Sequence, residues 1–79
     1  MGGTHPNGSW AEGISRNIER LIEERGTSKH AVHQASGISR SSFYRKMDKK
    51  PEHFTVEELG DIAEVLGVGL TDLLRPHAA

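Results

Sequence analysis

The stretch ASGISRSSFYRKM, Ala35–Met47, decides how the rest of the chain is read. Gly37 separates two segments that both have helical character. The segment before it offers Ala31, Val32 and Ala35 as apolar positions. The segment after it has only Phe43, Tyr44 and Met47 as bulky groups, among serines and arginines. Glycine takes a left-handed backbone conformation at little cost, so it stops the first helix. Ser39 is placed to cap the second, with Ile38 as the apolar residue just before the cap. Phe43 and Met47 are four apart and share one face. A helix held by one narrow stripe leaves Ser39, Arg40, Ser41, Ser42, Tyr44, Arg45 and Lys46 on its remaining surface.

Working outward, the same punctuation recurs. Ile14, Ile18, Leu21 and Ile22 form a helical stripe from about Gly13 to Arg25, closed by Gly26. Thr27 or Ser28 caps the next helix, which runs to about Ser36. DKKPEHF reads as a loop, because Pro51 does not fit a helix interior. Thr55 with Glu58 makes a capping box for a fourth helix. Its stripe is Val56, Leu59, Ile62, Ala63 and Leu66, and Gly67 stops it. Leu70, Leu73 and Leu74 fall in a short fifth helix capped by Thr71 and ended before Pro76. No segment alternates with the period of a strand. The expectation is an all-α fold of five short helices over residues 13–75. A flexible leader over residues 1–12 and a tail over 76–79 flank it, with Trp10 packing at the start of the first helix.

Composition removes several function classes. There is no cysteine, hence no disulfide framework and no thiolate metal site. No apolar run approaches the roughly 18 residues of a membrane span. MGGTHPNGSW has no secretory h-region, and Pro6 stands where myristoylation needs Ser or Thr. His30 and His33 are three apart, a spacing metals use, but nothing nearby completes a ligand set. No nucleophile elbow or phosphate loop is present, and a chain this small has little room for an enzyme pocket. Neither cofactor nor small-molecule ligand is expected.

Net charge is -1, but it is segregated. Residues 29–50 carry Lys29, Arg40, Arg45, Lys46, Lys49 and Lys50 against Asp48 alone. Residues 51–79 carry Glu52, Glu57, Glu58, Asp61, Glu64 and Asp72 against Arg75 alone. A basic middle beside an acidic end gives a positive face despite the near-neutral sum. Two helices joined by a short glycine-containing turn make a helix-turn-helix. Small serines let the second helix approach a major groove, and arginine pairs twice with a guanine edge.

Gly26 to Leu74 resembles the helix-turn-helix domain of the Cro and lambda-repressor superfamily, the XRE-type regulators. The Thr-Ser opening, the Ser-Gly-Ile-Ser turn, the Arg-Ser-Ser-Phe-Tyr-Arg run and FTVEELGDIAEVLGVGLTDLL carry the likeness. TetR-type regulators share a similar turn, but they carry a long ligand-binding domain for which this chain has no residues. The resemblance implies that Arg40, Ser41 and Arg45 read bases. It implies backbone contacts at Lys29, Ser39, Ser42, Tyr44, Lys46, Lys49 and Lys50. Ser39 serves as cap or contact. Leu70, Leu73 and Leu74 either close the core or form an oligomer surface, as in relatives that dimerise through helix 5.

His33 departs from the family, which places a small residue where helices 2 and 3 cross. Either the crossing is wider or the imidazole tilts outward. A pH-sensitive fold and a tolerated variant are the two consequences. The implied function is a transcriptional regulator in a bacterial cytoplasm, a phage or prophage repressor on a double-stranded operator. It binds as a monomer or a homodimer. The alternative is an antitoxin-like interaction module that uses the acidic end. The leader has no Lys or Arg, so no minor-groove arm is expected. The terminal Ala78-Ala79 reads as an ordinary tail or a degradation signal.

Overall fold

In the computed structural model, residues 7–75 are described, with side chains from Gly13 onward. They form α1 (Asn7–Arg25), α2 (Lys29–Ser36), α3 (Arg40–Asp48), α4 (Val56–Leu66) and α5 (Leu70–Leu74). A single 3-10 turn, Pro51–His53, lies between α3 and α4. The described residues contain no strand. The expected all-α class and the five helices are found.

The core draws on every helix. Ile14, Ile18, Leu21 and Ile22 come from α1, Val32 from α2, and Phe43 and Met47 from α3. Leu59, Ile62, Ala63 and Leu66 come from α4 and Leu73 from α5. Ile38 and Phe54 fill it from the connections. Each large side chain so buried contributes about 1.5–3 kcal/mol relative to exposure.

Several boundaries differ from the sequence reading. α1 starts at Asn7, six residues before the expected Gly13. Trp10 therefore lies within α1, and its packing falls outside the described side chains. The tail and Ala78-Ala79 also lie outside the described residues. The expected loop contains the 3-10 turn, with Pro51 at its first position and buried, as is Phe54. α5 is capped at Gly69, not Thr71: Asp72 accepts the Gly69 N–H at 3.0 Å. Val56 is 72% exposed rather than part of the stripe. It is the first residue of α4, and a side chain there leans back over the cap, not over the core. Ala31 and Ala35 are also exposed. The inward face of α2 is made by Val32 and His33.

The long α1 has a second role that its apolar stripe does not reveal. The last carbonyls of a helix lack partners within it. Ser15 donates its Oγ–H to the Met47 carbonyl at 2.8 Å, at the end of α3. Arg25 donates Nε–H to the Leu66 carbonyl at 2.7 Å, at the end of α4. Asn17, 2% exposed, donates Nδ2–H to the Leu73 and Arg75 carbonyls, each at 2.8 Å, at the end of α5. One helix thus ties down the C-terminal ends of three others and fixes where α3 points.

Candidate nucleic-acid interface

The turn between α2 and α3 is built by four local choices. Ser28 caps α2, its Oγ accepting the Ala31 N–H at 3.1 Å. Gly37 ends α2 at φ 79°, in the left-handed region. The Gly37 N–H reaches the Gln34 carbonyl at 3.3 Å, and the Ile38 N–H reaches the His33 carbonyl at 3.2 Å. That pair of bonds is a Schellman closure, and buried Ile38 is its accompanying apolar contact. Ser39 then caps α3, accepting the Ser42 N–H at 3.3 Å. Its side-chain oxygen is engaged as a cap.

His33 does not tilt outward. It is 8% exposed and lies between α2 and α3. Its Nδ1 is 3.0 Å from the Ile38 carbonyl. A carbonyl only accepts, so Nδ1 carries the proton. Its ring centroid is 6.2 Å from those of both Phe43 and Tyr44. Nε2 is buried without a partner among the described residues. The larger side chain is accommodated by becoming part of the crossing.

Phe43 (0% exposed) and Met47 (4%) hold α3 to the core. Arg40, Ser41, Arg45, Lys49 and Lys50 are exposed, and Ser42 is half-buried. Ser41 and Arg45 are one turn apart on one face, with Arg40 beside them at the helix start. The first turn of α3 has no acidic residue, whereas that of α4 has Glu57 and Glu58. The positive end of α3's dipole is therefore left for an outside anion. Among the described residues, Arg40, Arg45, Lys49 and Lys50 make no ion pair. A helix about 10–12 Å across matches a major groove about 12 Å wide.

Three candidate residues are engaged by the fold itself. Lys46 is not presented to solvent. Its ammonium lies 2.9 and 3.0 Å from the two carboxylate oxygens of Glu58, and its side chain is 12% exposed. The ring of Phe54 also sits beside it. It is thereby committed to joining α3 to the capping box of α4. Tyr44 is half-buried against the core, with the Arg40 guanidinium over its ring. Leu73 is fully buried, so it is core and not surface; Leu70 is partly buried against the core, and Leu74 alone of the three is exposed. Three leucines at helical spacing do not reveal which of them faces inward. Lys29 pairs with Glu19 at 3.4 Å, both well exposed. Such a pair is weak and yields readily to a phosphate.

Burial pushes the Glu58 carboxyl up. The Thr55 backbone N–H, the Lys46 ammonium and the Thr55 hydroxyl together outweigh it and hold the group below its ordinary value. The described residues contain no cluster that would hold a metal ion. None of their helices is long and apolar enough to cross a membrane.

The Cro/C1-type HTH DNA-binding domain family model matches residues 17–78, from the second half of α1 past the end of α5. No curated protein and no solved structure matches the chain.

Proposed function

The chain belongs to the Cro/C1-type helix-turn-helix DNA-binding domain family, and from that premise we propose that it is a sequence-specific transcriptional regulator. It acts as a phage or prophage repressor that occupies a double-stranded operator with α3 in the major groove. The observation that carries this is the division of α3. Phe43 and Met47 pin one face, and Arg40, Ser41 and Arg45 stand exposed on the other, with no ion pair among the described residues. Arg40 and Arg45 each pair with a base edge, a contact worth roughly 1–3 kcal/mol of discrimination. Lys29, Ser39, Ser42, Lys49 and Lys50 hold phosphates and set register.

The protein reads a single half-site as a monomer. Supporting this, the burial of Leu73 leaves, among the described residues, Leu74 at 47% and Val65 at 37% as the exposed large apolar side chains near α5. A stable interface needs about 800 Å² per partner. The interaction-module reading has its own support in the exposed acidic row of Glu57, Asp61 and Glu64 on α4.

Selection of bound duplexes from a random pool at physiological salt tests the proposal. The expected result is one enriched motif without two-fold symmetry. A palindrome would overturn the monomer. No enrichment, with binding that fades as salt rises, would leave only the non-specific phosphate term and favour the interaction module.

A further inference from the structure

Arg40 opens α3, and its guanidinium carbon is 5.7 Å from the centroid of the Tyr44 ring. A cation at a helix N-terminus meets the positive end of the dipole, and nothing acidic in the first turn offsets it. Among the described residues no carboxylate pairs with Arg40. The aromatic face is therefore the group that holds it, within the range of a cation–π contact.

The ring is itself fixed from beneath. It meets fully buried Phe43 edge-on, with centroids 5.9 Å apart at 75°. It meets His33 in the same manner at 6.2 Å and 70°. His33 is anchored in turn to the Ile38 carbonyl. The chain of contacts runs from the turn backbone, through His33 and Tyr44, to the guanidinium.

We propose that Tyr44 is a positioning residue for sequence reading. Its ring is a platform that holds the Arg40 guanidinium in place for a base edge, and its hydroxyl is not a phosphate anchor. Holding Arg40 before binding reduces the side-chain freedom lost on the DNA. The inference rests on the assignment of Arg40 as a base reader.

Phe and Leu at position 44 separate the roles, because Phe keeps the ring and removes only the hydroxyl. On the site selected by the wild type, Arg40→Ala first identifies the base pair that Arg40 reads. Tyr44→Phe then keeps wild-type discrimination there. Tyr44→Leu loses roughly two- to fivefold at that base pair alone, the size of an exposed cation–π contact. Arg40→Ala with Tyr44→Leu discriminates no worse than Arg40→Ala. A uniform loss in Tyr44→Phe, matched by Tyr44→Leu, would restore the hydroxyl as a phosphate contact and overturn the platform. Equal loss at every base pair in Tyr44→Leu would reduce the ring to a fold support.

Proton NMR of the free wild-type protein needs no variant and no operator. The Arg40 Cδ protons are expected upfield of random-coil positions, shielded by the ring. Random-coil shifts would overturn the platform even where Tyr44→Leu fails to fold. Failure of the wild type to select any site would instead sink the base-reading proposal, with the shifts still reporting whether the ring holds Arg40.

Discussion

The Lys46 ammonium sits 2.9 Å from one carboxylate oxygen of Glu58 and 3.0 Å from the other, across the gap between α3 and α4. The same carboxylate accepts the Thr55 N–H at 3.0 Å, so one acid both caps α4 and anchors α3. A residue that looks from its surroundings like another basic groove contact is paired within the fold. Lys46→Met is expected to leave the salt dependence of DNA binding unchanged. Its cost to stability is about 1–3 kcal/mol, because Glu58 loses a charged partner in a part-buried site. Titrating affinity against salt for this variant checks the assignment. A salt slope reduced by about one would return Lys46 to the phosphate contacts.

Glu58 also sets a pH dependence. Its carboxyl is held below the ordinary 4.5 in the folded protein. A depressed carboxyl stabilises the fold above its unfolded value, and the benefit is lost as pH falls through the folded one. Glu58→Gln is therefore expected to unfold at lower urea than the wild type at pH 7. The gap between the two narrows below about pH 4.5. Urea midpoints across that window test it, and a gap that widens on acidification would contradict it.

Asn17 is expected to matter for stability without touching DNA. Asn17→Leu removes both bonds to the end of α5 and leaves the buried Leu73 carbonyl unpaired. The cost is about 1–3 kcal/mol. In a domain this small, each kcal/mol lowers the melting temperature by roughly 4–8 °C. Thermal unfolding measures it directly. The operator preference of the folded fraction is expected to stay unchanged.

Gly37 gives a backbone test of the turn. A Cβ added there meets nothing within 4 Å, so the cost of substitution is conformational and not a clash. At φ 79° Gly37→Ala is expected to lose about 1–2 kcal/mol. Gly37→Asn loses less, because Asn tolerates the left-handed region. Equal stability of Ala and Asn variants in chemical denaturation would contradict this.

The local grammar of the chain was legible, and its long-range polar contacts were not. Gly26, Gly37 and Gly67 all adopt positive φ, and each follows a helical stripe that can be read directly. The Ser28 and Ser39 caps and the Thr55–Glu58 capping box follow from neighbours three residues apart. Phe43 and Met47 were placed by their spacing. Spacing does not say which neighbouring element a polar side chain meets. Asn17 bonds to residues 56 and 58 positions away, and Lys46 pairs 12 positions away. Nothing periodic marks such partners. His33 was recognisable as an oversized residue at a crossing, but its inward turn depends on the Ile38 carbonyl that the folded turn supplies.

Base readers and phosphate contacts make different predictions for mutants. Arg45→Ala is expected to relax sequence preference at one base pair by roughly 1–3 kcal/mol. Lys49→Ala is expected to weaken all sequences alike and lower the salt slope by about one. Repeating the pool selection with each variant separates the two. An unchanged ranking of sites in Arg45→Ala would remove that residue from the readers.

The most direct test uses the DNA. In the selected site, each guanine is replaced in turn by 7-deazaguanine, which removes a major-groove acceptor and leaves base pairing intact. Binding of wild type and of Arg45→Ala is then compared. If α3 reads the major groove through Arg45, one substitution weakens the wild type and costs Arg45→Ala nothing further. If both proteins lose affinity equally at every guanine, or neither responds, α3 does not read bases through Arg45 and the account of this site is wrong.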